Sequence, residues 1–514
     1  MVEYKVLITT SGVGSRLGKL TNYTNKCLVR VGDIPAISHI IESYPTETKF
    51  VITLGHYGDY VRQFLELTYN RDFTFVYVDN YEGEGSSLGH SILQAKSELQ
   101  CPFIFHASDT ILPDLKIPDT NSNWCIGAYK KETSQYRTLK ISNGYVDTIN
   151  EKGEINFDYP YVGVCGINDY NLFWECLEEL DNHYGLSDVH VINKMLNRNT
   201  EFEFYEAGMW LDIGNTNELN NARNHFGQTI DVLDKENESI FFFEDFVVKF
   251  FSDTKVNQNR VMRAELLSDL VPQMLGNTKN FYKYKKADGN LFSKSVNTNT
   301  FSQFLDWAHS ELWIPSIKPL QHEVGFNNLC WEFYINKTTK RINQYLDGKS
   351  DTVQIINGIE VPPIFDIVES LDKEWLSDGI PSQFHGDFIL DNIIETDTGY
   401  TLIDWRQDFG GDLEVGDIYY DLAKLNHNLV VNHEIVSNGN YSSDINNCYI
   451  LCNSKLVECT NILHNFIKDE GYDLTKVKVL TGIIWINMAP LHEYPFNKFL
   501  FNYGKYILTK ELQL

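Results

Sequence analysis

Short β-rich runs alternate with helical stretches through the first 110 residues, and this alternation constrains the possible fold more than any other feature of the sequence. The strand-like runs are residues 5–10, 50–54, 73–78 and 102–106, and the helical stretches between them are residues 34–44, 59–69 and 88–99. Strands that alternate with helices are typical of an α/β domain with a mostly parallel sheet. Ligands of such sheets bind at the carboxyl ends of the strands, so we expect the chemistry in the loops that follow them.

The chain has 514 residues, and domains of roughly 100–200 residues predict two or three of them. The segment after a predicted closing helix at residues 215–225 is polar and charged and contains few residues suited to a core. We therefore predict one domain over residues 1–229, a linker at about 230–239 and a second domain over residues 240–514. The second domain is expected to begin with two strands in 240–251 and a helix at 258–275.

Strands are also predicted at residues 282–287 and 292–295, before a mainly helical region that begins near residue 300. A loop and a strand hairpin are expected to interrupt this helical region near residues 380–410.

The charge balance excludes one class of partner. Lys and Arg total 43 against 70 Asp and Glu, a formal net charge of −27, whereas binding to a nucleic-acid polymer needs clustered cations. We expect no signal peptide, because the N-terminal residues lack a basic segment and a long apolar run, and the late apolar stretch at 479–490 is too short to cross a bilayer. The nine cysteines are scattered, which favours reduced thiols. We expect a cytoplasmic protein without a membrane-inserted segment, and homo-oligomerisation stays open.

The loop after the first strand carries the first chemical motif. Ser11, Gly12, Gly14, Ser15 and Arg16 follow the strand directly, and Lys26 comes ten residues later. Two glycines allow backbone N–H groups to close on a phosphate, and the two cations suit a triphosphate. This loop therefore predicts a nucleotide-binding site.

These residues, with Leu17, Leu20, Thr21 and Leu28, resemble the opening signature of the sugar-phosphate nucleotidyltransferase family. Asn25 stands where that family has proline, and we expect this change to soften the turn. The resemblance continues over most of residues 1–225 and implies a Rossmann-like domain. It assigns Gly85, Ser86 and Ser87 to a nucleotide-binding loop; Asp109 and Asp212 to a magnesium site; Glu151, Lys152 and Gly163 to the acceptor; and Lys26 and Arg16 to catalysis.

A second motif lies at residues 384–392, which read Phe-His-Gly-Asp-Phe-Ile-Leu-Asp-Asn, with Asp404 twelve residues further on. This spacing is that of a phosphotransferase catalytic loop followed by a metal loop. Asp387 is predicted to accept the proton of an attacking hydroxyl, and Asn392 and Asp404 are predicted to hold Mg²⁺. Upstream, Lys249 on a strand is suited to bind the α- and β-phosphates of ATP, and Glu265 on the next helix is suited to pair with that lysine.

Residues 240–510 resemble the aminoglycoside phosphotransferase and choline kinase family, which implies a protein-kinase-like α+β domain. No Gly-x-Gly-x-x-Gly loop stands near Glu244 and Asp245, in contrast to kinases that carry one. For the acceptor pocket the resemblance suggests five residues of the helical lobe, with core packing as the expected role of the aromatic ones: Trp405, Trp485, His492, Glu493 and Tyr494.

Two sites on one chain suggest consecutive steps, each with Mg²⁺. ATP would phosphorylate a small hydroxyl compound, and a second nucleoside triphosphate would then donate its nucleotidyl group to the product, giving an activated donor for surface glycan synthesis. The acceptor is a sugar in our first hypothesis and a choline-type alcohol, leading to a CDP-choline-like product, in the alternative. A regulatory protein with degenerate domains is a third hypothesis, and the intact carboxylates at 109, 212, 387 and 404 weigh against it.

Overall fold

The structure is a computed structural model that describes residues 4–180, 185–227, 235–315, 323–444 and 446–514. The chain divides into two units, one of residues 1–257 with 275–284, the other of residues 258–274 with 285–514. Residues 230–234 of the predicted linker lie outside the described residues. The predicted boundary near residue 230 stays a prediction about functional domains, and the strands that follow it group with the first unit.

Up to residue 251, the described part of the first unit contains fifteen strands. Their bounds are β1 Lys5–Thr9, β2 Arg30–Val31, β3 Ile34–Pro35, β4 Lys49–Leu54, β5 Phe73–Tyr77, β6 Phe103–Ala107, β7 Thr110–Ile111, β8 Trp124–Ala128, β9 Thr138–Ser142, β10 Tyr145–Asn150, β11 Tyr159–Ile167, β12 Glu203–Ala207, β13 Leu211–Asp212, β14 Glu238–Phe242 and β15 Phe246–Phe251. Nine of them form the main sheet in the order β5-β4-β1-β6-β11-β8-β12-β10-β9.

The main sheet is mixed, so the prediction of a mostly parallel sheet is correct only for one half of it. β5, β4, β1 and β6 run parallel to one another, and these are the four strands that the sequence predicts. β11 is antiparallel to both β6 and β8. The antiparallel pairs come from the region after residue 123, where β9 and β10 are joined by a tight turn rather than by a crossover helix, whereas β12, which follows α4 and α5, pairs with β8 in parallel.

Helices cover the parallel half, in agreement with the predicted α/β alternation. They are α1 Ala36–Glu42, α2 Gly58–Thr68, α3 Leu88–Gln94, α4 Tyr170–Glu179, α5 Asp188–Leu196 and α6 Thr216–Phe226. The apolar faces of α1 and α2 pack on one side of the sheet, and those of α3, α4 and α5 pack on the other. Because β1 and β6 are parallel neighbours, the loops that follow them lie at the same edge of the sheet.

A four-stranded sheet, in the order β14-β15-β17-β16, shares the core of the first unit; its remaining strands are β16 Met274–Asn277 and β17 Phe281–Lys285. The ring of Phe64 on α2 lies 5.5 Å from that of Phe241 and 5.9 Å from that of Phe281. All three side chains are fully or almost fully buried. The strands after residue 235 therefore belong to the hydrophobic core that α2 builds.

The second unit is mainly helical, with short hairpins. Helix α7 Thr254–Leu267 continues into it, and its other helices are α8 Phe292–Ser295, α9 Thr298–Trp307, α10 Glu323–Trp331, α11 Lys337–Leu346, α12 Ile364–Glu369, α13 Lys373–Ser377, α14 Ile418–Val430, α15 His433–Ser437, α16 Ser454–Asp469, α17 Leu474–Met488 and α18 Phe496–Leu512. Its strands are β18 Asn290–Leu291, β19 Gln354–Ile356, β20 Ile359–Val361, β21 Pro381–Ser382, β22 Ile393–Thr396, β23 Gly399–Leu402, β24 Gly416–Asp417, β25 Tyr441–Ser443 and β26 Cys448–Ile450.

Helix α17 lies at the centre of the second unit, where it packs against α14 and α18, and most of its side chains are buried. The predicted strand at residues 292–295 is wrong, because this segment forms helix α8, with Phe292 buried against Phe304 and Tyr400. Among the residues described, none of the helices is both long and apolar enough to cross a bilayer.

The shared core predicts that Phe281→Ala lowers the stability of the first unit by about 3–5 kcal/mol, as loss of a buried phenylalanine does. Calorimetry of the full chain should show one unfolding transition shifted to lower temperature. Ile155→Ala is the control, since Ile155 is 92% exposed, and its effect should stay within about 0.5 kcal/mol. Equal unfolding temperatures for the two variants would contradict a core that includes the four-stranded sheet.

Candidate functional sites

The loop after β1 requires glycine at one position. Gly14 has φ 69°, in the left-handed region, and a Cβ there would lie 2.9 Å from Cβ of Lys26. A Cβ at Gly12 would meet nothing within 4 Å. Ser15 and Arg16 follow in a 3-10 helix over Ser15–Thr21 and are exposed. The loop therefore leaves backbone and a cation open to solvent at the edge of the sheet.

The side chain of Asn25 makes three hydrogen bonds within and around this loop, and the softening of the turn stays a prediction. This side chain is buried, accepts a hydrogen bond from the backbone N–H of Cys27 at 2.9 Å and donates to the carbonyl oxygens of Thr10 at 2.8 Å and His56 at 2.6 Å. A proline would rigidify the backbone but could supply none of these three bonds. Asn25 thus replaces the proline by tying three loop segments together beside Lys26.

Lys26 and Asp109 form an ion pair, with 2.5 Å between Nζ and Oδ2. Burial alone would raise the pKa of Asp109, but the ammonium of Lys26, aided by Arg16, outweighs it and holds the pKa below its usual value. The structure therefore brings together three residues that the sequence placed in one site: Arg16, Lys26 and Asp109.

Asp212 lies beside Asp109, because β13 pairs with β7 and places Asp212 opposite Thr110. Its Oδ2 accepts from the hydroxyl of Tyr136 and its Oδ1 from the backbone N–H of Gly214, both at 2.8 Å. Burial and the charge of Asp109 raise the pKa of Asp212, and the two hydrogen bonds only partly oppose this. Two carboxylates from distant motifs thus face a common space.

This pair fits a magnesium ion that shares its coordination with nucleotide phosphates. Mg²⁺ is commonly held by one or two carboxylates, with substrate oxygens and water completing the shell. A cation there would relieve the repulsion that raises the pKa of Asp212. Within the described ranges, no group of three or more His, Cys, Asp or Glu side chains is placed to hold a metal, so a cage made wholly of protein is not formed there.

The glycine-rich loop is linked to the first loop through serines. Gly85 has φ 84°, Ser86 donates to the carbonyl of Gly83 at 2.7 Å, and Ser87 caps α3 by accepting from the N–H of His90 at 3.0 Å. The hydroxyls of Ser91 and Ser11 lie 2.8 Å apart. The two predicted nucleotide-binding loops are therefore neighbours.

The predicted acceptor residues are divided between two places. Gly163, at φ 82° in β11, leaves room for Ala107, whose Cβ would lie 3.0 Å from an added Cβ; it is close to the strand that precedes Asp109. Glu151 instead pairs with Arg137 at 3.1 Å, and Lys152 is exposed. The structure places Gly163 against Ala107 and Thr110, which flank Asp109 in the chain, and gives Glu151 and Lys152 no comparable contact.

A cationic side chain that the sequence did not predict borders Asp212. The ammonium of Lys130 lies 4.7 Å from the ring centre of Tyr136 and 4.6 Å from that of Trp210, and it pairs with Glu218 at 2.7 Å. Tyr136 connects this group to Asp212. Trp210 could have been assigned to this site from the sequence, because it stands two residues before Asp212. No motif around Lys130 indicates that it lies there.

In the second unit, a hairpin brings together the two predicted metal ligands. Asn392 precedes β22 and Asp404 follows β23, and these strands pair with Ile393 opposite Leu402. The backbone N–H of Ile403 donates to the carbonyl of Asn392 at 2.9 Å. The twelve residues from Asn392 to Asp404 thus correspond to one hairpin, β22 and β23, with the residues next to it.

Asp387 lies within reach of Asn392, whose amide donates to its carbonyl at 2.9 Å and its carboxylate at 3.3 Å. Lys424, which was not predicted, pairs with the carboxylate at 2.7 Å. Burial alone would raise the pKa of Asp387, but Lys424 outweighs it and holds the pKa below its usual value. The side chain is therefore ionised and able to accept a proton.

Buried groups fix the backbone around Asp387. Asp421 on α14 accepts from the N–H groups of His385 and Gly386, each at 2.7 Å, and burial raises its pKa to about 6. Burial also lowers the pKa of His385 to about 4, so its neutral ring accepts from the N–H of Asp387 through Nδ1 and donates to Ile403 through Nε2.

Asp404 has φ 56°, a left-handed conformation that a non-glycine residue adopts at a cost and that often marks a functional position. Its carboxylate pairs with Arg260 on α7 at 2.5 Å. Asn392 and Asp404 supply the oxygen ligands that Mg²⁺ prefers, and together with nucleotide phosphates they would fit it.

The two predicted ATP-binding residues belong to different units. Lys249 is buried in β15 of the first unit, and Glu265 is exposed on α7 in the second. Their pairing stays a prediction. From the same helix, Arg263 is buried and donates to the carbonyl oxygens of Leu413 and Phe384.

A cavity of about 210 Å³ adjoins Asp387 within the second unit. Its charged lining consists of one carboxylate and five cations: Asp387, Arg260, Lys337, Arg341, Arg406 and Lys424. An aliphatic wall faces them, formed by Leu480, Ile483, Ile484, Met488 and Leu491.

None of the five acceptor candidates named from the sequence lines this cavity. Trp405 and Trp485 are buried, with their indole N–H groups donating to the carbonyl of Arg260 and to His427, and Tyr494 is 75% exposed. Trp405 and Trp485 thus pack in the core, the role that the sequence favoured, whereas Tyr494 lies on the surface.

No protein-family model and no curated protein match this chain. Solved structures similar to its N-terminal part are nucleotidyltransferases. A Bacillus anthracis protein described as a glucose-1-phosphate thymidylyltransferase shares 19% identity at a TM-score of 0.37, covering 45% of this chain and 98% of its own. The CTP:phosphocholine cytidylyltransferase of Streptococcus pneumoniae shares 16% at 0.36, covering 44% and 100%. The inositol-1-phosphate CTP transferase of T. maritima shares 12% at 0.37, covering 45% and 99%.

The raised pKa of Asp212 predicts that Asp212→Asn stabilises the metal-free protein at pH 7. Because folding raises this pKa, ionisation of Asp212 opposes folding at neutral pH, and that cost disappears in acid, below the usual Asp pKa of about 3.9. The midpoint temperature of thermal unfolding should rise by a few degrees at pH 7, and this gain should disappear as the pH falls. Asp147→Asn, at an exposed site, is the control; an equal gain there would contradict a local origin.

Proposed function

We propose that the chain is a bifunctional enzyme. The second unit phosphorylates a small hydroxyl compound with ATP, and the first unit transfers a nucleotidyl group from a second nucleoside triphosphate to the phosphorylated product. Pyrophosphate is released, and the activated product serves as a donor for surface glycan synthesis. The observation that carries the proposal is that Asp109 and Asp212, which are distant in sequence, lie together beside Lys26, and that a hairpin holds Asn392 and Asp404 next to Asp387.

In the first unit, the oxygen of the acceptor phosphate attacks the α-phosphorus of the nucleotide, and the bond to pyrophosphate breaks. Lys26 and Arg16 offset the charge of the two polyanions, and the loops of Ser11–Ser15 and Gly85–Ser87 hold the nucleotide. Mg²⁺ held by Asp109 and Asp212 would neutralise phosphate charge. Support comes from the pairing of β7 with β13, which places both carboxylates beside Lys26.

In the second unit, the hydroxyl oxygen of the acceptor attacks the γ-phosphorus of ATP and ADP leaves. Asp387 accepts the proton of that hydroxyl. Asn392 and Asp404 would hold Mg²⁺, which would neutralise the charge of the ATP phosphates. Lys249 and Glu265 belong to the proposal as ATP-binding residues through the family resemblance. Support comes from the ionised state of Asp387 and its contact with Asn392.

A sugar is the acceptor that we favour, and a choline-type alcohol is the alternative. The alternative draws on the Tyr136–Trp210 pair, which can hold an ammonium group and here holds that of Lys130. An acceptor panel with ATP separates them: phosphorylation of choline but of no sugar would overturn the first choice.

Asp387→Asn should reduce ATP-dependent phosphorylation by about 10²–10⁴-fold, the usual contribution of a general base. Pyrophosphate release from a supplied phosphorylated acceptor should survive, since Asp387 lies in the other unit. Asp397→Asn, in the exposed turn of the same hairpin, is the matched control. Loss of both activities in Asp387→Asn would contradict independent sites.

Asp109→Asn should give the converse result. Pyrophosphate release should fall by at least about 10²-fold, because electrostatic stabilisation of this kind contributes about that much, while phosphorylation by ATP stays unchanged. Asp114→Asn, on the exposed segment after β7, serves as control. An inactive kinase step in Asp109→Asn would contradict the division of labour.

A further inference from the structure

The cavity beside Asp387 concentrates positive charge in a chain whose formal net charge is −27. Two of its five cations are paired with carboxylates: Lys424 with Asp387 and Arg260 with Asp404. The other three, Lys337, Arg341 and Arg406, form no ion pair with the described residues. The cavity thus has excess positive charge.

Neutral groups contact these three cations. The ammonium of Lys337 lies 5.2 Å and the guanidinium of Arg406 5.0 Å from the ring centre of Phe333. Arg341 donates to the side-chain oxygen of Gln344 at 2.9 Å. Burial and the charges of Arg406, Lys424 and Arg341 lower the pKa of Lys337 to about 7. Gathering like charges without a counter-ion is unfavourable, and an anion would reverse this cost.

An unsatisfied acceptor lies in the same lining. The amide nitrogen of Asn487 donates to the hydroxyl of Thr338 at 2.6 Å and to the carbonyl of Ile483 at 3.0 Å. Its Oδ1 is buried and has no hydrogen-bond partner among the described residues. Buried acceptors are nearly always paired, so this oxygen suits a donor on a ligand, such as a hydroxyl.

We propose that the acceptor of the second unit is an anionic alcohol, a small molecule that carries a phosphate or carboxylate besides the hydroxyl that is phosphorylated. Lys337, Arg341 and Arg406 bind the anionic group, Asn487 accepts from a hydroxyl, and the aliphatic wall of α17 covers the carbon skeleton. This inference rests on the proposed kinase function and specifies its substrate. It disfavours choline, whose cationic head would meet the cations of this cavity.

The γ-phosphate of ATP is the competing occupant for these cations. The aliphatic residues that α17 contributes, Leu480, Ile483 and Ile484, favour an acceptor skeleton, because a phosphate chain gains nothing from an apolar wall. A binding experiment with the nucleotide sites already filled separates the two occupants.

The experiment measures binding by calorimetry to the full chain, saturated with Mg²⁺ and a non-hydrolysable ATP analogue. The probes share a small alcohol frame and differ in charge: glycerol 3-phosphate, glycerol and choline. The test variant is Lys337→Gln with Arg341→Gln, and the single Arg341→Gln is kept in case the double variant unfolds. The matched control is Lys340→Gln, on the same helix α11 and exposed.

Glycerol 3-phosphate should bind at least about tenfold more tightly than glycerol or choline, as a charge-assisted hydrogen bond provides. The test variants should weaken it by about tenfold or more, and Lys340→Gln should leave it within about twofold, since an exposed charge contributes little. Tightest binding of choline, or equal binding by wild type and test variants, would overturn the anionic acceptor. The kinase proposal fails separately, if Asp387→Asn retains full ATP-dependent phosphorylation across the acceptor panel.

Discussion

The cost of burying a carboxylate is the constraint on which both candidate sites depend. An ionised carboxylate away from water must be paired, or it takes up a proton. Asp109, Asp387 and Asp404 each contact a cation, from Lys26, Lys424 and Arg260 respectively. Asp212 instead shares its surroundings with Asp109, and the pKa of Asp212 is raised. Cations of the chain thus lie beside Asp109 and Asp404, whereas at Asp212 a metal ion would have to supply the missing positive charge.

This arrangement also bears on the proposal that an acidic protein binds nucleoside triphosphates. The cations are few, but they lie where the backbone brings loop ends together, at the edge of the parallel strands in one unit and around a hairpin in the other. A bound nucleotide with its metal would exchange partners with these ion pairs rather than meet an uncompensated negative surface. A formal net charge of −27 therefore does not conflict with the proposed nucleotide sites.

Much of this organisation follows from local sequence. The parallel strands, the loops that follow them and the hairpin between Asn392 and Asp404 were predictable, because strand periodicity and motif spacing are local properties. Helix α8 was not predictable, since its four residues, Phe-Ser-Lys-Ser, are too few to show a helical period. Lys130 and Asn487 come near their sites only through tertiary packing. For Lys424 a signal was available in the sequence. It follows Asp421 by three residues on α14, and helical spacing places both side chains on one face.

The aromatic contacts between α2 and the strands after residue 235 limit where the chain can be divided. Phe64, Phe241 and Phe281 are buried against one another, so a cut near residue 230 would leave an apolar face on each fragment. Exposed apolar faces of this kind favour aggregation. A fragment that is to fold by itself therefore has to keep these strands together with α2.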